Sequence, residues 1–181
     1  MDYSEKDIEE YIIDYQMLWK EYGIEVLDNQ FPTEYGVIDI LGYKPKTKML
    51  IVVELKKGTV DENAVGQIMR YMAAIKEMQE AFKNNPDLPV EIQEIAGVLG
   101  ILMGTDATPG VHAIARVFNF IKYIHLDVMM QILPTHYNKP RKPESLTRDI
   151  DKFVNDEGIS CRLKLALLQH QELIDTKQNQ E

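Results

Sequence analysis

At 181 residues with 45% apolar side chains, the chain has the length of one domain, or of one domain with an appendage, around a real core, which excludes a disordered protein. The 29 acidic against 20 basic residues leave a formal charge of -9, a balance that opposes binding to a phosphate backbone unless basic residues gather locally. The single cysteine, Cys161, excludes an intrachain disulfide framework and suits a reducing compartment, where it reads as a packing residue.

Ser4, followed three residues later by Asp7, marks a helix start. Ile8, Tyr11, Ile12, Tyr15, Leu18 and Trp19 then recur at helical spacing up to Gly23, which predicts one amphipathic helix. Three stretches of strand character follow: IEVLDNQF from Ile24, YGVIDILGY from Tyr35 and KMLIVVELK from Lys48. The turn residues of KPKTK join the last two, so an antiparallel meander is expected. From Asp61 the helical period returns, with Ala64, Val65, Ile68, Met69, Met72, Ile75, Met78 and Phe82 along one face of a long helix that ends at NNPDLP. The methionines of that face read as core filler.

EIAGVLGILMG then reads as a buried strand, PGVHAIARVF as a short helix and FIKYIHLDV as a final strand. A strand, helix, strand unit with apolar strands implies that part of the sheet is parallel and covered. The predicted class is therefore α/β, a mixed sheet flanked by helices. After Val128, PTHYNKPRKPES is proline-rich and basic, and SCRLKLALLQHQELI is the clearer of one or two helices beyond it. This divides the chain into a core domain, residues 1–130, and a basic linker with a C-terminal helical extension, residues 131–181.

Two of the strands carry charge where a core wants none: Asp39 in GVIDILGY, and Glu54 and Lys56 in MLIVVELK. Alternation places Glu54 and Lys56 on one face, Val53 and Leu55 on the other, and Asp39 on the face opposite Ile38 and Ile40. A hairpin of these strands brings Asp39 and Glu54 together near its open end. Two carboxylates beside an amine suit a hard cation, because Mg²⁺ takes oxygen ligands and keeps waters for a substrate phosphate. Lys56 would then stabilise charge at a scissile phosphate or help position the attacking water. The same triplet also fits a half-exposed strand with a surface ion pair. What makes it informative is conjunction with the aspartate before it and with Gln67 and Tyr71 after it, four apart on one helix face. The four histidines, His112, His125, His136 and His170, show no zinc-motif spacing, and no zinc is expected.

The segment EYGVIDILGYKPKTKMLIVVELKKGTVDENAVGQIMRYM resembles the catalytic core of the PD-(D/E)xK nuclease superfamily, in its RecB-like branch and the NucS (EndoMS)-type endonucleases. The matching pattern is a Gly-x-x-Asp strand at Gly36 to Asp39, a Glu-x-Lys strand running from Glu54 to Gly58, and a Gln-x-x-x-Tyr helix at Gln67 to Tyr71. IEEYI in the first helix is similar to the family's acidic position there, at Glu9. The resemblance runs from about Ser4 to Val128 and is confined to the C-terminal part of NucS-type enzymes. Ile38 stands where the superfamily's name has proline.

The resemblance implies a restriction-endonuclease-like core and Mg²⁺- or Mn²⁺-dependent hydrolysis of DNA phosphodiesters. It makes Asp39, Glu54 and the backbone carbonyl of Leu55 the metal ligands, Lys56 the catalytic amine and Glu9 an accessory acid. Gln67 and Tyr71 would orient the site or touch the DNA strand. With DNA as partner, Lys44, Lys46, Lys48, Lys56 and Lys57 along the hairpin, and Lys139, Arg141, Lys142 and Arg148 in the linker, are the basic clusters available for nucleic-acid binding.

The expected function is a DNA endonuclease of repair, recombination or restriction. The alternatives are a Holliday-junction resolvase or structure-specific nuclease on the same core, and a non-catalytic DNA- or protein-binding module whose C-terminal helices dock a partner or make a homodimer. MDYSEKDIEE lacks the basic and apolar regions of a signal peptide and IAGVLGILMG is too short to span a bilayer, so a cytoplasmic protein with no membrane partner is expected.

Overall fold

The computed structural model describes residues 4–126 and 159–178; of residues 160, 161 and 171–178 it describes the backbone alone. Ser4 caps α1 (Glu5–Asp14) reciprocally: its hydroxyl accepts from the Asp7 N–H, and its own N–H donates to the Asp7 carboxylate at 2.9 Å. The single helix expected up to Gly23 is in fact two. Gln16, with φ 52, turns the chain before α2 (Met17–Tyr22). A straight helix would bury Tyr15 and Trp19 in phase with Ile8 and Ile12 and would expose Met17. The break exchanges them: Met17 and Leu18 enter the core, while Tyr15 and Trp19 are 39% and 49% exposed.

The meander forms as expected. Strands β1 (Glu25–Thr33), β2 (Gly36–Lys44) and β3 (Met49–Leu55) are antiparallel neighbours, with a short 3-10 turn at Pro45–Thr47. A second, two-residue sheet pairs β4 (Thr59–Val60) with β6 (Asp106–Ala107). The long helix α3 (Glu62–Lys83) is capped by the Asp61 side chain and followed by the single turn α4 (Val90–Gln93). Strand β5 (Gly97–Gly104) lies parallel to β3, and β7 (Ile121–His125), reached through α5 (Pro109–Val117), lies parallel to β5. The order β1-β2-β3-β5-β7 makes one mixed sheet with helices on both faces. That is the mixed α/β arrangement read from the strand patterns.

Each face has its own core. On one, Ile68, Met72, Ile75 and Met78 of α3 pack on Leu50, Val52 and Leu102; on the other, Ile8 and Ile12 of α1 pack with Ile51, Val53, Leu55 and Ile101. Met69, expected on the buried face of α3, is 48% exposed, because it lies one residue round the helix from the fully buried Ile68, beyond the stripe that faces the sheet. The last helix, α6 (Ile159–Gln178), buries Leu163, Ala166 and Leu167 in the α3-side core, and its Lys164 lies 3.2 Å from Asp28 of β1. Among the side chains of this helix that are described, Leu165 and Leu168 are apolar and exposed, on the helix through which a homodimer is expected. The expected domain boundary near residue 130 lies outside the described residues. Among the described residues no helix is long and apolar enough to cross a membrane.

Gly36 ties two of the sequence motifs together. It has φ +130, and a Cβ there would sit 2.8 Å from the Tyr71 hydroxyl. Gly36→Ala is expected to cost about 1–3 kcal/mol through strain and clash together. Urea denaturation checks this, and Tyr71→Phe in the same chain should recover the clash but not the backbone part.

Candidate active site

The site grows from a break in strand alternation. Regular alternation leaves Ile38 and Ile40 on one face, yet Ile38 packs in the α3-side core and Ile40 in the α1-side core. This corrects the expectation that both lie opposite Asp39. The neighbouring strand breaks at the same place: Asn29 pairs with Ile40 and Phe31 with Ile38, so Gln30 stands across from Asp39, and Gln30 has φ 52. The β2–β3 ladder reaches Ile40 opposite Val53. Past it, the Leu55 N–H donates to the Asp39 Oδ2 at 2.7 Å.

Glu54 is 1% exposed, at the C-terminal end of β3. Its Oε1 accepts from the Lys56 Nζ at 2.6 Å, whereas its Oε2 has no hydrogen-bond partner among the described residues. Burial pushes its carboxyl up to about 7, against the Lys56 hydrogen bond and with the charge of Asp39. Asp39 is raised as well, by burial first, against the Leu55 N–H and Lys56 and with the charges of Glu9 and Glu5. Burial pulls the Lys56 ammonium down, but its hydrogen bond to Glu54 and the charges of Glu54, Glu5 and Asp39 outweigh that, so the net direction is upward. Lys56 therefore keeps its proton at neutral pH and sets a positive charge beside the two carboxylates.

Two carboxylates and an ammonium thus lie within each other's field at the open end of the hairpin. The donors are all oxygen, and the buried, unpartnered Glu54 Oε2 is what a hard cation would satisfy, so the residues present fit a divalent ion. Among the described residues no group of three or more His, Cys, Asp or Glu is placed to hold a metal. An ion here would rest on Asp39 and Glu54 and complete its shell with backbone oxygen and water. Leu55, whose carbonyl the resemblance adds to that shell, sits between Glu54 and Lys56 with its side chain buried on the α1 side.

The other sequence-predicted residues divide. Glu9 is buried on α1, close enough for its charge to act on Asp39, and its two oxygens accept one hydrogen bond each, from Asn29 and Gln30. Gln67 donates to the Tyr71 hydroxyl at 2.9 Å, and Tyr71 packs on Gly36, which places the pair at the start of β2, three residues before Asp39. Lys57 adjoins the cluster. Lys44 and Lys46 sit at the tip of the hairpin, five strand residues or about 16 Å from Asp39, and Lys48 is paired with Glu94 at 2.6 Å. The lysines expected as one cluster are therefore spread over both ends of the strands. Lys139, Arg141, Lys142 and Arg148 lie outside the described residues.

Three residues escaped the sequence reading. Glu5 accepts from the Lys57 N–H at 3.0 Å and acts electrostatically on Asp39, Glu54 and Lys56. Its signal was present, since it lies four residues before Glu9 on the same helix face. Asn29 and Gln30 gave no signal, because only the cross-strand register brings them to the site.

Residues 4–86 match the family described as the Endonuclease NucS C-terminal domain. That match takes in α1 to α3 and with them Glu5, Glu9, Asp39, Glu54, Lys56, Gln67 and Tyr71. The chain is similar to Endonuclease NucS of Sulfolobus acidocaldarius, 35% identical over 60 residues that make up 33% of this chain and 24% of that one. It is likewise 35% identical over 57 residues to Endonuclease NucS of Pyrococcus furiosus, covering 32% of this chain and 21% of the other. The chain thus spans about a quarter of the length of these NucS relatives. The crystal structure of a repair endonuclease from Pyrococcus abyssi superposes with a TM-score of 0.52 over 70% of this chain and 48% of that chain, at 22% identity. At that identity the likeness is one of fold, and it agrees with the five-stranded mixed sheet flanked by helices.

Proposed function

We propose that this chain is a Mg²⁺- or Mn²⁺-dependent DNA endonuclease of the NucS type, acting in DNA repair, recombination or restriction on a PD-(D/E)xK, restriction-endonuclease-like core. The observation that carries the reading is the buried Glu54, with one oxygen on Lys56 and the other unpartnered, beside Asp39. The match of residues 4–86 to the NucS C-terminal domain, and the names of the relatives, support it.

Asp39, Glu54 and the Leu55 carbonyl would hold the ion, which when bound would polarise a phosphodiester and lower the pKa of its water. Lys56, held protonated by the surrounding carboxylates, would stabilise the charge that develops on the scissile phosphate. Gln67 and Tyr71 would brace the start of β2, and Lys57 lies nearest to meet the DNA backbone. Lys44 and Lys46 would meet it only on a duplex or tail long enough to reach the far end of the hairpin.

The test is cleavage of labelled single-stranded, duplex, mismatched, flapped and four-way-junction DNA with Mg²⁺ or Mn²⁺. Cleavage by the native chain that disappears on adding a chelator is the expected result. Failure on every substrate, together with no Mn²⁺ binding, would refute the nuclease and leave a binding module on a nuclease fold.

A further inference from the structure

Glu9 is hydrogen-bonded through both of its carboxylate oxygens. Its Oε1 accepts from Asn29 Nδ2 at 3.0 Å and its Oε2 from Gln30 Nε2 at 2.6 Å, and the residue is 5% exposed. Adjacent residues of a regular strand point to opposite faces. Both amides reach α1 because Gln30 is left-handed, with φ 52. A non-glycine residue holds that conformation in a strand only where its surroundings over-determine it. The Glu9 carboxylate, bonded to both neighbours, is that surrounding.

Gln30 stands directly across from Asp39, where β2 makes the matching change of face between Ile38 and Ile40. The two breaks form one distortion running from β1 into β2. At its end Asp39 receives the Leu55 N–H instead of continuing the ladder. We infer that Glu9, by gripping Asn29 and Gln30, is a positioning residue that aims Asp39 at the Leu55 N–H and beside Glu54. Its functional consequence rests on the proposed metal-dependent nuclease; its structural content does not.

The test uses the full chain in three forms. Gln30→Gly keeps the left-handed backbone at no steric cost and removes the amide. Glu9→Gln removes the charge, and Glu9→Gln combined with Gln30→Glu restores an amide–carboxylate bond with the roles exchanged. Two quantities are measured: protection of the Leu55 amide against hydrogen exchange, with the core amides of β3 as reference, and affinity for Mn²⁺ alone.

In the single variants the core amides should stay protected while Leu55 loses about tenfold in protection and Mn²⁺ affinity falls by about tenfold, the size seen when an outer-shell partner is lost. The double variant should regain most of both. Single variants that fold, yet keep Leu55 protection and Mn²⁺ affinity within about twofold of native, overturn the inference. If the native chain binds no Mn²⁺, the nuclease reading fails, and Leu55 protection still decides this one. Should Gln30→Gly not fold, Glu9→Gln carries the same comparison.

Discussion

Asp39→Ala is expected to abolish metal binding and cleavage together, whereas Lys56→Met should lose cleavage and keep the metal. Asp39 supplies oxygens, and without it Glu54 alone cannot hold a hard cation that needs several oxygen ligands. The ammonium of Lys56 does the opposite, because its 2.6 Å hydrogen bond competes with an ion for Glu54. Removing it frees Oε1 but also withdraws the charge that would meet the developing negative charge on the phosphate. Loss of one such preorganised group costs on the order of 10²–10³-fold in rate. Mn²⁺ titration beside single-turnover cleavage, both at pH 8.5 where carboxylate protonation interferes least, separates the two roles. Equal loss of metal in both variants would show that Lys56 holds the site together and does not act on the phosphate.

The second large effect is on pH. Glu54 is pushed up to about 7 in the folded chain, from an ordinary value of 4.5, by burial. Between those values the folded state holds a proton that the unfolded state has released. The neutral carboxyl is accommodated at full stability below about 4.5, and stability then falls as pH rises towards 7 and levels off above it. Linkage makes that fall about 3 kcal/mol. Asp39, also raised by burial, acts in the same direction.

Urea denaturation of the metal-free chain at pH 5 and pH 8 measures the slope, and Glu54→Gln should flatten most of it. An unchanged slope in that variant would remove Glu54 as its source. Because an ion must displace the same proton, Mn²⁺ affinity should rise by up to about tenfold per pH unit below 7 and level off above it. The ion then supplies to Glu54 Oε2 the partner that the protein does not.

Much of this was legible in the order of residues. The Ser4–Asp7 cap, the meander around KPKTK, the 22-residue helix and the apolar parallel strands were all written in periodicity, and each formed. Asp39, Glu54 and Lys56 stood out because charge in an apolar strand asks for a partner, and the structure brings the three together. The reading failed where a residue's face depends on something other than its own segment. Trp19 is in phase with the buried face of α1, but the left-handed Gln16 takes it out of that phase. Lys44, Lys46 and Lys57 are close in sequence, but a hairpin sends its tip and its open end apart.

By itself, then, the sequence determined the five strands of the main sheet, which of them carry charge and which three residues that charge singles out, but not the two-residue strands β4 and β6. All of these follow from the local alternation of side chains along one strand. Only the tertiary structure decided that Glu54 is sealed from water with one oxygen unpartnered, that Glu5 joins the cluster, and that Glu9 spends both oxygens on Asn29 and Gln30. The reason is physical: a carboxylate's proton affinity and orientation are set by burial and by hydrogen-bond partners 16 to 52 residues away, which the fold brings within 3 Å of it.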